Sequence, residues 1–207
     1  YGRSAVAKDY AQAFYWGKKG ADLGLPLSLR FLAYMYLFGN GVTASPETAF
    51  HLFERGVSKG DPSSMWYAAQ MLLAGTGVAR DKGRALKLLL DAAPHQCRSA
   101  TEAGEMLVFG KAGPRHPRKA LELIEPWAQK DCIEAQVDMG DLYAAGYGGT
   151  PDFVKARAWY ERALRTPVNN NQVPEDQSQL HEIADTWGLL PVRMLGLMYA
   201  KGIGGPV

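Results

Sequence analysis

Four absences narrow the reading first. No uninterrupted apolar run approaches the roughly 18 to 20 residues that cross a bilayer, and the start carries no charged segment followed by an apolar signal core, so membrane insertion is not expected. Charge of one sign is missing too. The balance of 23 Lys and Arg against 21 Asp and Glu leaves a formal +2, not the clustered basic surplus of a phosphate-tracking surface, so nucleic acid is not the expected partner. G-x-S-x-G, Walker and S-x-x-K stretches are absent, which leaves no nucleophile elbow, phosphate loop or penicillin-type serine. An initiator Met is missing ahead of Tyr1, as in a trimmed or processed chain. What is present is a sequence of 207 residues, 47% hydrophobic and 21% charged, too apolar for disorder and long enough for one large or two small packed units.

Its organising feature is a repeat. Glycines that close an apolar run stand at Gly39, Gly75, Gly110 and Gly146, about 36 residues apart, and again at Gly202 after one period plus about 20 inserted residues. Ala13, Ala49, Ala85, Ala120 and Ala156 keep the same period as a second column. Ahead of each glycine lies a small or apolar pair: Leu32-Ala33, Ala68-Ala69, Ala103-Gly104, Met139-Gly140 and Leu195-Gly196. One helical turn later come Met35-Tyr36, Met71-Leu72, Met106-Leu107, Leu142-Tyr143 and Met198-Tyr199. These offsets trace one helical face, in which the small residue admits a neighbouring helix and the large ones fill the space beside it. This predicts a helix A in each unit.

A glycine turn follows, as in Gly39-Asn40-Gly41-Val42 and Gly75-Thr76-Gly77-Val78, where glycine supplies the positive φ of a helix exit. A second helix, B, is predicted to start at Asp9, Ser45, Asp81, His116 and Asp152. All but His116 are good N-caps, and Pro46 and Pro117 suit the first helical position. About ten helices are expected, none able to bury its apolar stripe alone but all able to do so when stacked. The third unit departs most, with Gly110-Lys111-Ala112-Gly113 in its turn and Trp127 where other units carry a small residue.

The columns read A-x-x-x-L-G-x-L-Y-x-x-G-x-G-V, a capping residue, then K-A-x-x-W-Y-x-x-A, best matched by Ala135 to Gly146 with Lys155-Ala156 and Trp159-Tyr160. This resembles the Sel-1-like repeat family over nearly the whole chain. Tetratricopeptide units are relatives with a period of about 34. The resemblance implies an all-α fold, a right-handed α/α superhelix or solenoid of helix-turn-helix repeats. The units are expected at about 25–60, 61–96, 97–131, 132–166 and, in part, 191–207, with 1–24 a partial unit and 167–190 an insertion, all within one domain spanning 1–207. Terminal helices without polar caps predict further repeats beyond the ends, or self-association through them. The resemblance also implies a protein-binding superhelix and no shared catalytic residues.

With A helices lining the concave side, the inward positions are those offset from the core face. They give Arg30, Phe31 and Tyr34; Trp66, Tyr67 and Gln70; Thr101, Glu102 and Glu105; Val137, Asp138 and Asp141; then Arg193, Met194 and Leu197. The predicted partner-binding set is Arg30, Tyr34, Trp66, Tyr67, Gln70, Glu102, Glu105, Asp138, Asp141 and Arg193. Aromatic anchors beside a strip of acids suit a protein or peptide partner with apolar knobs and basic residues. Phe31 and Tyr67 have packing against adjacent repeats as an equal alternative.

Little else carries chemistry. His181-Glu182-Ile183-Ala184-Asp185 is similar in outline to a zincin helix but lacks a third ligand, and His51, His95 and His116 occur singly. No cofactor and no metal site are expected. In the insertion, Pro174-Glu175-Asp176 reads as a helix start and Gly188 as a stop. Cys97 and Cys132 occupy nearly equivalent places in consecutive units. A stacking distance of about 10 Å exceeds the roughly 7 Å between Cα atoms that a disulfide tolerates, so two free thiols are expected. The compartment is left between the bacterial periplasm or envelope, favoured, and the cytoplasm. The expected function is a non-catalytic scaffold or adaptor that holds a protein partner. An immunity-type inhibitor of a secreted effector is the alternative, followed by an RNA-reading helical repeat and an enzyme.

Overall fold

The structure, a computed structural model, describes residues 9–147, 149–167, 194, 195, 197–199 and 201–203. Among these residues there are helices and no strands. They form α1 (Tyr10–Asp22), α2 (Pro26–Phe38), α3 (Pro46–Ser58), α4 (Pro62–Ala74), α5 (Lys82–Ala92), α6 (Cys97–Phe109), α7 (Pro117–Gln129), α8 (Ile133–Ala144) and α9 (Phe153–Arg165). Odd-numbered helices are the predicted B helices and even-numbered ones the A helices. Residues 194, 195 and 197–199 are helical as well. The greater part of the insertion, with His181 and Asp185, lies outside the described residues, as does Arg193. The chain divides into two compact units, Tyr1–Ala92 and Ala93–Val207.

Helix boundaries follow local chemistry. The B helices start where a side-chain oxygen satisfies an orphan backbone N–H. Asp9 accepts from Gln12 N at 3.0 Å, Asp81 from Arg84 N at 2.9 Å, and Asp152 from Lys155 N at 3.0 Å. Ser45 accepts from Thr48 N at 3.3 Å. His116 holds the corresponding place before α7 without a side-chain bond. The A helix α4 has a cap of its own, Asp61, which accepts from Ser64 N at 2.8 Å. Helices α2, α4 and α6 end on left-handed glycines, Gly39, Gly75 and Gly110, with φ of 70°, 76° and 66°. The divergent third turn thus exits its helix as the first two do, whereas α8 ends on a right-handed Ala145 and turns left-handed one residue later at Gly146. A second turn glycine, Gly77, has φ of 66°, and a Cβ there would lie 2.3 Å from the carbonyl carbon of Pro46. Only glycine lets this turn press against the start of α3.

In the first unit α2 packs on α1 and α3, and α4 on α3 and α5. The predicted pairs Leu32-Ala33 and Ala68-Ala69 are buried, together with Leu29, Met35, Phe53, Leu72 and Leu89. Each such Leu or Phe contributes about 1.5–3 kcal/mol through loss of apolar contact with water. In the second unit α6 packs on α7 and α8, and α8 on α7 and α9. Gly140 of α8 is the small residue of its pair. A Cβ there would meet the Tyr160 ring at 2.4 Å, so the missing side chain is what lets this ring lie fully buried against α8. Trp127 is not the small residue of α7; Ala128, one place later, is fully buried. The Trp127 indole instead donates to the Ala93 carbonyl at 2.8 Å, as the Arg162 guanidinium donates to the Gln129 carbonyl at 3.0 Å.

Candidate functional site

In the first unit the A-helix face is aromatic. The Tyr34 ring meets Tyr67 edge-on with centroids 4.7 Å apart and stacks near Phe38 at 6.2 Å. Tyr67 in turn stacks on the buried Phe53 at 5.2 Å and takes the edge of Trp66 at 4.7 Å. Offset and T-shaped ring pairs of this kind add about 0.5–1.5 kcal/mol each beyond the area they bury. Tyr34, Trp66, Tyr67 and Gln70 are all half-buried, whereas Phe31 and Phe38 are exposed. Tyr67 therefore packs into the unit while it lines the face. Arg30 points to a structural partner, Asp61 at 3.7 Å, with both side chains largely covered.

In the second unit the corresponding face is acidic. Glu134, Asp138 and Asp141 recur at helical spacing along α8, and Glu102 and Glu105 come from α6. The inward columns of the sequence contain Glu102, Glu105, Asp138 and Asp141 but not Glu134, which lies one turn before them. Its place one turn ahead of Asp138 was the available signal. Thr101, buried on α6, donates through its hydroxyl to Glu134 Oε1 at 2.8 Å and so joins the two helices. Tyr160 donates to Asp141 Oδ1 at 2.5 Å. Lys111 pairs with Glu105 at 3.0 Å on the exposed rim.

The electrostatics follow first from burial and only then, for Glu134 and Asp138, from neighbouring like charges. Burial, reinforced by Glu102 and Glu105, raises the Glu134 carboxyl to about 7, against the opposing Thr101 hydrogen bond and Arg98. Asp138 is raised well above the usual carboxylate range, first by burial and then by Glu134, Asp141 and Glu105. Asp141 is raised by burial and pulled back by the Tyr160 hydroxyl. Beside these acids opens a pocket of about 690 Å³, in which Glu105, Asp138 and Asp141 face the apolar side chains of Phe109, Leu142 and Phe153.

The two thiols are not free. Cys97 and Cys132 form a disulfide with Cα atoms 6.6 Å apart. The expected stacking distance of about 10 Å separates helix axes, but these residues sit on ends that converge: Cys97 opens α6 and Cys132 is the N-cap of α8. The Thr101–Glu134 bond holds the next turns together in the same way. Glu134 lies close enough to both sulfurs for a three-ligand metal set, but sulfurs joined in a disulfide are not the thiolates such a set needs.

The Sel1 repeat model matches residues 1–25, 26–61, 62–93, 98–132, 133–165 and 193–207. Among solved structures, a Sel1 repeat protein from Oxalobacter formigenes is 29% identical, with a TM-score of 0.71 over 88% of this chain and 80% of its own. A protective antigen present in uropathogenic Escherichia coli strains, which displays an SLR fold, is 24% identical with a TM-score of 0.72 over 96% of this chain and 46% of its own. An immunity protein from Pseudomonas aeruginosa is 16% identical with a TM-score of 0.50 over 90% of this chain and 76% of its own, a likeness of fold alone. No match was found among curated protein sequences. Repeats of this kind are generally protein-interaction modules, and no described helix is long and apolar enough to cross a membrane. With six segments of its sequence matching the repeat and the same all-α hairpins in its structure, the chain belongs to the Sel1 repeat family.

Proposed function

We propose that this chain is a non-catalytic interaction module, a scaffold or adaptor whose A-helix faces hold a protein partner. The observation that carries the reading is the contrast between faces: half-buried aromatics around Tyr34 and Trp66 in one unit, convergent carboxylates around Asp138 in the other. Aromatic anchors supply contact area at low entropic cost, and a strip of one charge supplies selectivity and a faster encounter. Within this proposal Tyr34, Trp66, Tyr67, Gln70, Glu102, Glu105, Asp138 and Asp141 face the partner. Arg30 acts mainly through Asp61, at which it is already aimed. The disulfide fits an oxidising compartment, of which the bacterial envelope is one.

The test is site-specific photo-cross-linking in the native host, with the reactive group placed at Trp66, Glu105 or Asp138, and at exposed B-helix positions such as Lys87 and Glu122 as controls. Cross-links to one protein from the A-helix positions, and not from the controls, support the reading. Cross-links confined to the B helices, or none at any position, overturn it. A captured partner that is a toxin silenced on binding moves the role from adaptor to inhibitor.

A further inference from the structure

The pocket of the second unit has a chemistry more specific than a general protein-binding face. Its acidic side holds Asp138, which burial has stripped of much of its water. Among the described residues no hydrogen-bond donor or cation reaches that carboxylate, and its charged neighbours Glu134, Asp141 and Glu105 all carry the same sign. Asp141 at least receives the Tyr160 hydroxyl, and Glu105 the Lys111 ammonium. Asp138 is thus a half-buried acid that opens into a cavity and lacks a counterion among the described residues. The other side of the cavity is apolar and aromatic. A volume of about 690 Å³ lies within the range of small-ligand sites and leaves room for a pair of side chains.

The protein displays the matching interaction at the rim. Lys111 places its ammonium 3.0 Å from Glu105 and 5.8 Å from the centre of the Phe109 ring. That is a lysine held jointly by a carboxylate and an aromatic face. The pair is exposed, so it contributes little to stability and is readily displaced.

We infer that this pocket receives a lysine or arginine side chain of the partner together with an adjacent apolar residue, the cation seated among Asp138, Asp141 and Glu105 and the apolar group against Phe109, Leu142 and Phe153. The inference rests on the interaction-module reading and deepens it by naming what the second unit selects. A cation seated there favours the ionised form of Asp138, and because water is already partly excluded the attraction between them is screened less than at an open surface. The aliphatic stem of the same side chain, and its apolar neighbour, cover the ring of Phe109. Lys111 is the internal competitor for the rim.

The experiment uses the full chain and fluorescein-labelled hexapeptide pools, N-capped and amidated. One pool has Lys-Leu fixed at the centre, one Arg-Leu, one norleucine-Leu and one Lys-Ser. Anisotropy titrations are expected to give at least tenfold tighter binding of the Lys-Leu and Arg-Leu pools than of the norleucine-Leu pool, with Lys-Ser in between. Asp138→Asn should abolish most of the difference, and Lys111→Met should tighten the basic pools several-fold by removing the competitor. Equal binding of the norleucine and lysine pools overturns the inference, as does a basic preference that survives Asp138→Asn. Circular dichroism establishes that each variant is folded. Lys111→Met alters an exposed pair and tests the same site even if Asp138→Asn fails to fold, because an unchanged or weaker affinity in it counts against the pocket. Should the pools show no basic preference while the cross-linked partner is still captured, only this pocket assignment falls. Loss of the cross-links removes the reading beneath it.

Discussion

Cys97, the first residue of α6, is joined through sulfur to Cys132, the N-cap of α8, and this bond ties the A helices of two consecutive repeats at the end where the acidic face begins. The bridge closes a loop 35 residues long in sequence. A loop of that size removes roughly 3–4 kcal/mol of chain entropy from the unfolded state. Replacing both cysteines by alanine is therefore expected to lower the stability of the second unit by roughly that amount, read by urea denaturation. An unchanged midpoint would show that the helices hold together without the bond.

Burial of these acids, reinforced by their like-charged neighbours, predicts an unusual dependence of stability on pH. Glu134 is raised from 4.5 to about 7 in the fold, and Asp138 and Asp141 shift the same way. Between the unfolded and folded values the native state binds more protons, so stability falls as pH rises through about 4.5 to 7. The groups facing these acids are Arg98, Thr101, Glu102 and Glu105 from α6 and Tyr160 from α9. Glu134→Gln should flatten part of the slope and stabilise the protein at pH 8 by on the order of 1–2 kcal/mol. Thermal melts from pH 4.5 to 8 of parent and variant check this, and a parent that gains stability with pH contradicts it.

Gly140 leaves room for the ring of Tyr160, with a Cβ meeting it at 2.4 Å. Gly140→Ala is expected to cost about 1–3 kcal/mol by overpacking, although alanine is the better helix former. Tyr160→Phe should cost only about 1 kcal/mol, since it removes one hydrogen bond and leaves the packing in place. Comparing the two in denaturant titrations separates shape from hydrogen bonding.

Gln136 is a fully buried amide in the second unit. Its Nε2 donates to the Ala128 carbonyl at 3.1 Å and to Asp131 at 3.2 Å, while its Oε1 accepts from the Thr166 hydroxyl at 3.0 Å. Gln136→Leu should lower stability by about 1–2 kcal/mol, because it removes the hydrogen bonds of a buried amide while the Ala128 carbonyl keeps the Asp131 N–H and the Thr166 hydroxyl keeps the Arg162 carbonyl. A stability change below about 0.5 kcal/mol would mean that water replaces the amide.

Much of the fold was legible because it depends on short-range rules. A side chain that accepts from the N–H three residues on is identified by its own chemistry, so Asp9, Ser45, Asp81 and Asp152 could be assigned as caps from their column. The left-handed exit at Gly39, Gly75 and Gly110 is equally local. Helix periodicity also placed Glu102, Glu105, Asp138 and Asp141 on one kind of face.

What the sequence determined by itself was the period, the starts of the B helices, the glycine exits of the A helices and the aromatic and acidic columns, since these rest on backbone sterics, capping and the 3.6-residue turn. Tertiary structure alone decided that Cys97 meets Cys132, that Thr101 reaches Glu134, and that Asp138 opens into a cavity with no counterion among the described residues. Those relations join residues more than thirty apart or depend on which water is excluded. They are set by how closely two helix ends converge, a distance that a repeat period averages away.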